Sequence, residues 1–134
     1  MGTPLYPLVF AKLNLGAAQT DLSLTHGDAA GAEEALAPYP GEIVALTVSG
    51  GGNRTAGSAT FEIRVNGVKL ASPVAVIDAS NVRRLRVEVG HEAGRTIKAD
   101  DTVEVVVTTS ADFAPTTIEY AADVWCTVGS YAPG

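Results

Sequence analysis

The sequence predicts an all-β protein, a single antiparallel β-sandwich or jelly roll with short extended arms at both ends. Three observations support this prediction. Apolar and polar residues alternate in several segments, as in half-buried strands. Turn-forming residues separate these segments at short intervals. The chain has 134 residues, of which 46% are hydrophobic, so it is long and apolar enough for one domain, residues 1–134, with one core.

The N-terminal part is predicted to begin as an arm and continue as a strand. Residues 1–7 contain two prolines and no alternating pattern, so they predict an extended arm. A strand is predicted over residues 8–15, where the alternating apolar residues are Ala11, Leu13 and Leu15. Leu22 and Leu24 predict a short strand beside it. Residues 29–36 are the one helix candidate, and the glycines around their start favour a loop or a single helical turn.

The clearest strand pattern lies in residues 60–66. One side of this strand carries Phe61, Ile63 and Val65, and the other side is polar. Asn66-Gly67 follows directly, and both residues tolerate a positive φ, so the pair predicts a tight hairpin turn. The returning segment, residues 68–77, contains Pro73, which lacks a donor for the strand ladder and predicts an edge strand or a bulge.

Four further runs alternate in the same way. Their apolar positions are Val44, Leu46 and Val48; Leu85, Val87 and Val89; Val103, Val105 and Val107; and the longest set, Ile118, Tyr120, Ala122, Val124, Cys126 and Val128. Polar and glycine-rich segments separate the runs. Residues 130–134 follow the last run and predict an extended C-terminal tail.

The composition excludes several classes of protein. Fifteen acidic and nine basic residues leave a net charge of −6, which disfavours binding to nucleic acid or to an anionic membrane. The single cysteine, Cys126, allows no internal disulfide and is predicted to be a buried structural residue. No segment has the length and hydrophobicity of a transmembrane helix. The N-terminus lacks a basic start followed by a long apolar core, so we expect no secretion signal.

No catalytic, metal-binding or cofactor-binding residues are predicted. Asp21, His26 and Asp28 lie close in sequence, but their spacing matches no metal motif and favours a polar loop. His91 lies between glycines and also predicts a loop. Asp100-Asp101 precedes a strand, where side-chain to backbone hydrogen bonds would shape a tight turn. We therefore expect a protein that is not an enzyme.

The residues predicted to contact other proteins are aromatic, basic or N-terminal. Trp125 shares the polar side of the last strand with Asp123 and Thr127, and two interpretations are open: an interface or ligand-binding position, or a position covered by a loop. Arg84 and Arg86 share one strand face and could pair with an acidic surface of a neighbouring subunit. The full set of interface candidates is Leu5, Tyr6, Leu8, Phe10, Arg84, Arg86, Trp125 and Tyr131.

The order of these features resembles small β-sandwich structural proteins of tailed bacteriophages, of the capsid decoration and head-fibre type. An apolar strand opens the chain, a Pro-Gly pair leads into another strand, and an acidic turn precedes a later one. The segments that carry the resemblance are residues 8–15, 39–48, 54–67, 97–105 and 108–117.

The resemblance implies a virion component without catalysis. Such proteins commonly act as trimers on the capsid exterior, where they contact adjoining capsomers and stabilise the shell. The implied partners are other copies of the chain and the major capsid protein or another virion protein. The implied location is the virion, after synthesis in the cytoplasm of an infected bacterium. The alternative is a glycan- or receptor-binding module of a phage tail, a fibre or another cell-surface adhesin, to which Trp125, Tyr120, Tyr131 and loop carboxylates could contribute.

Overall fold

The computed structural model describes residues 4–26, 33–81, 83–89 and 95–129. These residues form two antiparallel sheets packed together, which confirms the predicted all-β sandwich. The strands are β1 (Leu5–Lys12), β2 (Leu22–Ser23), β3 (Thr25–His26), β4 (Ala35–Leu36), β5 (Gly41–Gly50), β6 (Ala59–Val65), β7 (Val68–Lys69), β8 (Ala75–Ile77), β9 (Arg84–Glu88), β10 (Thr96–Ile97), β11 (Thr102–Thr109) and β12 (Tyr120–Thr127).

The first sheet is built around three long strands, in the order β5, β12, β1. The short strand β3 extends the sheet beyond β1, and β9 and β10 pair with successive parts of β5 on its other side. The second sheet is built around β11 and β6. There β2 and β4 pair with β11, and β7 and β8 pair with β6. The termini of the described chain therefore meet in the first sheet, where β1 pairs with β12 along its whole length.

The core lies between the inward faces of the two sheets. Alternate residues of the long strands fill it, because successive side chains of a strand point to opposite sides. The aromatic rings of Phe61 in the second sheet and Tyr120 in the first lie 5.7 Å apart between centroids, and Phe113 packs on Tyr120 at 6.2 Å. The other buried inward residues include Leu8, Phe10, Leu46, Val48, Ile63, Val103, Val105, Val107, Ala122, Val124 and Cys126.

The predicted hairpin is confirmed, whereas the predicted returning strand, residues 68–77, is divided into β7 and β8. Asn66 and Gly67 have φ values of 51° and 81°, and the turn joins β6 to β7. Pro73 lies in the connection between β7 and β8, two short strands at the edge of the second sheet. The proline therefore lies where no ladder hydrogen bond is needed.

The start of the chain differs from the prediction. Strand β1 begins at Leu5 and ends at Lys12, so Leu5–Pro7 belong to the sheet and not to an arm, and Leu13, at 63% exposure, lies beyond the strand. Leu8 and Phe10 point into the core, at 6% and 0% exposure, and are therefore not interface residues. Removing residues 1–7 would take away the pairing of β1 with Thr127, Cys126 and Trp125, so this deletion is expected to damage the fold.

Several predicted positions lie outside the described residues. They are residues 1–3 of the arm, Asp28, residues 29–32 of the helix candidate, His91, and residues 130–134 of the tail, which include Tyr131.

Candidate interaction face

The outward side of the first sheet carries most of the predicted interface residues that remain. We call the outward residues of β1, β12, β5 and β9 the interaction face. They are Leu5, Pro7, Val9 and Ala11 from β1, Ala121, Asp123 and Trp125 from β12, Ala45, Thr47 and Ser49 from β5, and Arg84, Arg86 and Glu88 from β9.

Strand register arranges these residues in rows across the sheet. One row runs Val9, Asp123, Thr47, Arg86; the next runs Pro7, Trp125, Ala45, Glu88; a third runs Ala11, Ala121, Ser49, Arg84. Neighbouring strands lie about 4.8 Å apart, so the backbones at Asp123 and Arg86 are separated by roughly 10 Å, with Thr47 between them. On β5 the face therefore carries small side chains. The arginines lie on β9 to one side, and Asp123, Trp125 and the apolar residues of β1 lie to the other.

A β-bulge at Val44 of β5 keeps Ile43 pointing inward, opposite Cys126. Cys126 pairs with Ile43 and Trp125 with Ala45, so β5 contributes one extra residue between the two pairs. Past the bulge, Ile43 and Cys126 point into the core while Ala45 and Trp125 point outward. The indole Nε1–H of Trp125 donates a hydrogen bond of 3.1 Å to Thr47 Oγ1. Trp125 is therefore a half-buried residue whose ring is held against β5 on the outer face.

Asp123 is the one acidic residue at the centre of the face. Its side chain is half-buried, and partial burial raises the pKa of the carboxyl above its ordinary value. Across the described parts of the chain, no side chain forms an ion pair or a hydrogen bond with this carboxylate. A partly desolvated carboxylate beside an aromatic ring is typical of a position completed by a cationic or hydrogen-bonding ligand.

The two arginines occupy the β9 side of the face. Both side chains are exposed, and Arg86 forms an ion pair with Glu88 two residues along. Between β5 and β9 lies a shallow hollow of about 300 Å³, lined by Thr47, Ser49, Arg84 and Arg86 together with neighbouring backbone. The adjacent Arg83 is committed elsewhere, because its Nε–H donates to the Gly50 carbonyl at 3.0 Å.

The outward side of the second sheet differs from the interaction face because its charged residues pair with one another. Asp21 forms ion pairs with Lys69 at 2.9 Å and with Arg64 at 3.3 Å. Arg64 also lies 3.7 Å from Glu104, and Lys69 lies 3.3 Å from Glu62. These five charged residues, three acidic and two basic, form one network across β6, β7 and β11. Their charges are satisfied within the chain and need no external partner.

The network makes a testable contribution to stability. The hydrogen bond and charge of Lys69 lower the pKa of Asp21, so this carboxylate stabilises the fold above its unfolded pKa and loses that effect as the pH falls through its folded pKa. We expect Asp21→Asn to lower the free energy of unfolding at pH 7 by less than about 1 kcal/mol, because the pair is partly exposed and screened. The difference from wild type should vanish near pH 2. Urea denaturation at both pH values measures this, with Glu119→Gln as the control; an equal loss at both pH values would contradict it.

The predicted polar loops have structural partners. Asp21 belongs to the network just described, while His26 lies at the edge of the first sheet, with Nδ1 3.0 Å from the Val9 carbonyl oxygen. Asp101 accepts a hydrogen bond from the Lys98 N–H at 2.9 Å, and Asp100 has a φ of 71°, which confirms the predicted turn. Within the described residues, no three potential metal ligands cluster together.

Cys126 and Tyr6 lie on the inward side of the first sheet. Burial raises the pKa of the Cys126 thiol to about 12, so the thiol stays protonated, and the prediction of a buried structural cysteine is confirmed. The Tyr6 ring packs edge-on against Tyr39 with centroids 6.1 Å apart, and burial raises its pKa to about 12. Tyr6 therefore does not share the interaction face with Leu5.

Two comparisons with known proteins found no match. No model of a known protein family matches the chain, and no curated protein matches it either. Among the residues that the structure describes, none forms a helix able to cross a membrane.

Some residues of this face were predicted from the sequence as interface residues. The structure brings together Leu5, Arg84, Arg86 and Trp125 among the predicted interface residues. It adds Asp123, Thr47 and Val9, which were not predicted as interface residues. The signal for Asp123 was present, because it alternates with Trp125 on the same side of one strand. The pairing of β5 with β9, which brings the arginines to the face, has no signal in local alternation.

Proposed function

We propose that this chain is a non-enzymatic structural protein of a bacteriophage virion, most closely a capsid decoration protein that binds the outer surface of the shell and stabilises it. The observation that carries the proposal is the contrast between the two outward sheet surfaces. The second sheet pairs its charged residues with one another, whereas the interaction face presents Trp125, the exposed Arg84, and Asp123, whose carboxylate has no side-chain partner among the described residues. Such a combination is typical of a surface used for protein contacts.

The mechanism of stabilisation is mass action. A protein that binds the assembled shell and not its dissociated subunits shifts the equilibrium toward the shell. Copies joined as an oligomer, trimeric as in the proteins that the sequence resembles, bind together and gain avidity. The net charge of −6 on each copy would make the surfaces of separate particles repel each other.

The test is performed on phage particles from the genome that encodes the chain. We expect mass spectrometry of gradient-purified particles to find the chain in many copies. Particles lacking it should release DNA at a lower temperature, and added protein should restore the wild-type temperature. Because Trp125 lies at the centre of the interaction face, Trp125→Ala should fail to restore it, while the control Glu119→Gln on the opposite end of β12 should succeed. Absence of the chain from purified particles would contradict the proposal.

A glycan-binding module is the second candidate, and the environment of Trp125 favours it. An aromatic ring anchored to a sheet through its indole N–H can contact a sugar ring, and a carboxylate two residues away on the same side can accept hydrogen bonds from the sugar hydroxyls. Glycan-array binding that disappears in Trp125→Ala, together with absence from virions, would establish this candidate over the first.

A further inference from the structure

The interaction face carries both signs of charge in an arrangement that can match its own copy. In one register row, Asp123 on β12 and Arg86 on β9 lie on the two strands that flank β5. Thr47 on β5 lies midway between them. The carboxylate has no described partner, and the arginine is exposed.

A two-fold axis lying along β5 converts this spacing into reciprocal contacts. Rotation about that axis turns a second copy over and brings its β9 above β12 of the first, with the rows kept in line. The row then places the Arg86 of each copy above the Asp123 of the other, and a contact of this kind forms twice in a two-fold interface. We propose that the interaction face binds a second copy of this chain, with Asp123 of each copy receiving Arg86 of the other, while Glu88 of the other copy lies above Trp125 in the neighbouring row. This inference rests on the proposed function and names the occupant of its contact surface.

The side chains along β5 permit the close approach that this pairing requires. On the axis each residue meets its own copy, and these residues are the small Ala45, Thr47 and Ser49. Sheets pack face to face about 10 Å apart, which small residues at the axis allow. The hollow beside Arg84 and Arg86 lies opposite the position that Asp123 of the other copy would occupy.

Electrostatics favour the same occupant. An incoming guanidinium neutralises the half-buried carboxylate through a charge-assisted hydrogen bond. The titratable groups that face this position are Asp123 on β12 and Arg84, Arg86 and Glu88 on β9, and Glu88 already pairs with Arg86 in its own chain. Partial burial without a partner raises the pKa of Asp123, and an arginine above it would lower that pKa again.

The size of the face sets the strength of the pairing. The two-fold overlaps three strands, β12, β5 and β9; at about 4.8 Å spacing and five residues of about 3.3 Å rise, they give a footprint on the order of 250 Å² per copy. Such a footprint is much smaller than the roughly 800 Å² per partner of a standard specific interface, so we expect weak association in free solution, with a dissociation constant well above the micromolar range. On a shell, neighbouring copies already held in place would pair at a far higher effective concentration.

The test is a charge exchange followed by sedimentation equilibrium from about 10 μM to 1 mM, a range chosen for the weak contact expected. Wild type should associate into two copies, or six if a three-fold contact also forms. Asp123→Arg and Arg86→Asp should each weaken the association by at least about tenfold, because like charges then oppose each other twice. The double variant should return to within about threefold of wild type, since the pair is restored with its signs reversed.

Matched controls carry the same charge changes away from the face, at exposed positions. Glu119→Arg and Lys98→Asp should leave the association unchanged. Asp123→Asn, which keeps the shape of the side chain, provides a mild variant if Asp123→Arg fails to fold. Trp125 is the single tryptophan, so its emission should shift to longer wavelength as wild type is diluted and should not shift in the single variants.

The outcomes separate this inference from the proposed function. One or three copies at 1 mM, or an association that the single exchanges leave intact, would overturn the pairing. So would a double variant that stays as weak as the single ones. A monomeric chain that is nevertheless present in virions would leave the proposed function standing without the pairing. A dimeric chain that is absent from virions would support the pairing and contradict the proposed function.

Discussion

Phe61→Ala is expected to lower the free energy of unfolding by about 3–5 kcal/mol, the usual cost of removing a buried aromatic ring. Phe61 has 0% exposure and belongs to the second sheet, while its neighbour Tyr120, 5.7 Å away between ring centroids, belongs to the first. The substitution therefore opens a cavity between the sheets where they contact each other. Urea denaturation followed by circular dichroism measures the change.

Tyr120→Phe is the matched control for this cavity. The Tyr120 hydroxyl is buried and has no hydrogen-bond partner among the described residues. Removing it leaves the ring packing unchanged and relieves a desolvated polar group, so we expect stability to be unchanged or to rise by up to about 1 kcal/mol. A loss below about 1 kcal/mol for Phe61→Ala would mean that the sheets close over the cavity, and that this ring is not what holds them together.

Gly57→Ala is expected to cost about 2–5 kcal/mol, because two unfavourable effects combine at one position. Gly57 has a φ of +70°, and an added Cβ would lie 2.6 Å from the Phe113 backbone nitrogen and would overlap Ser110 Oγ. Ser110 also accepts a hydrogen bond from the Ser58 N–H at 2.9 Å, so the displacement would separate the two segments that meet here.

Gly67→Ala separates the two effects. Gly67 has a φ of +81°, but nothing lies within 4 Å of an added Cβ, so only backbone strain of about 1–2 kcal/mol is expected. Thermal unfolding of both variants gives the comparison. Equal losses would show that backbone strain accounts for the whole effect at Gly57 and that steric overlap there is relieved at no cost.

The strands that the sequence predicted best are those with one buried and one polar side. Residues 60–66 and the run containing Tyr120 and Val124 follow strict alternation, and the structure forms β6 and β12 there. The same reasoning placed the first strand too late, because Pro7 was taken to mark an arm. Among the described residues, β3 pairs only with Phe10 and Ala11, so no described strand pairs with β1 on that side at Pro7, where a missing N–H is tolerated.

The interaction face was only partly predictable because it is assembled by long-range pairing. Alternation indicated that Trp125 and Asp123 share a side, and that Arg84 and Arg86 share another. Only the antiparallel pairing of β9 with β5 and of β5 with β12 brings those two sets into common rows. The bulge at Val44 could not be predicted from alternation either. It is defined by the pairing of β5 with β12, in which one extra residue of β5 leaves Ile43 pointing inward.

The outermost strands of both sheets bear on how the protein behaves at high local density. Strands β2, β3, β4, β7 and β10 have two residues each and β8 has three, so these edges offer few open backbone groups to another chain. Of the described strands that pair on one side only, β9 is the longest, and it carries Arg84, Arg86 and Glu88 on its outward side. Short or charged edges discourage strand-to-strand polymerisation. Many copies crowded on one surface can therefore touch through side chains without fusing into continuous β-fibres.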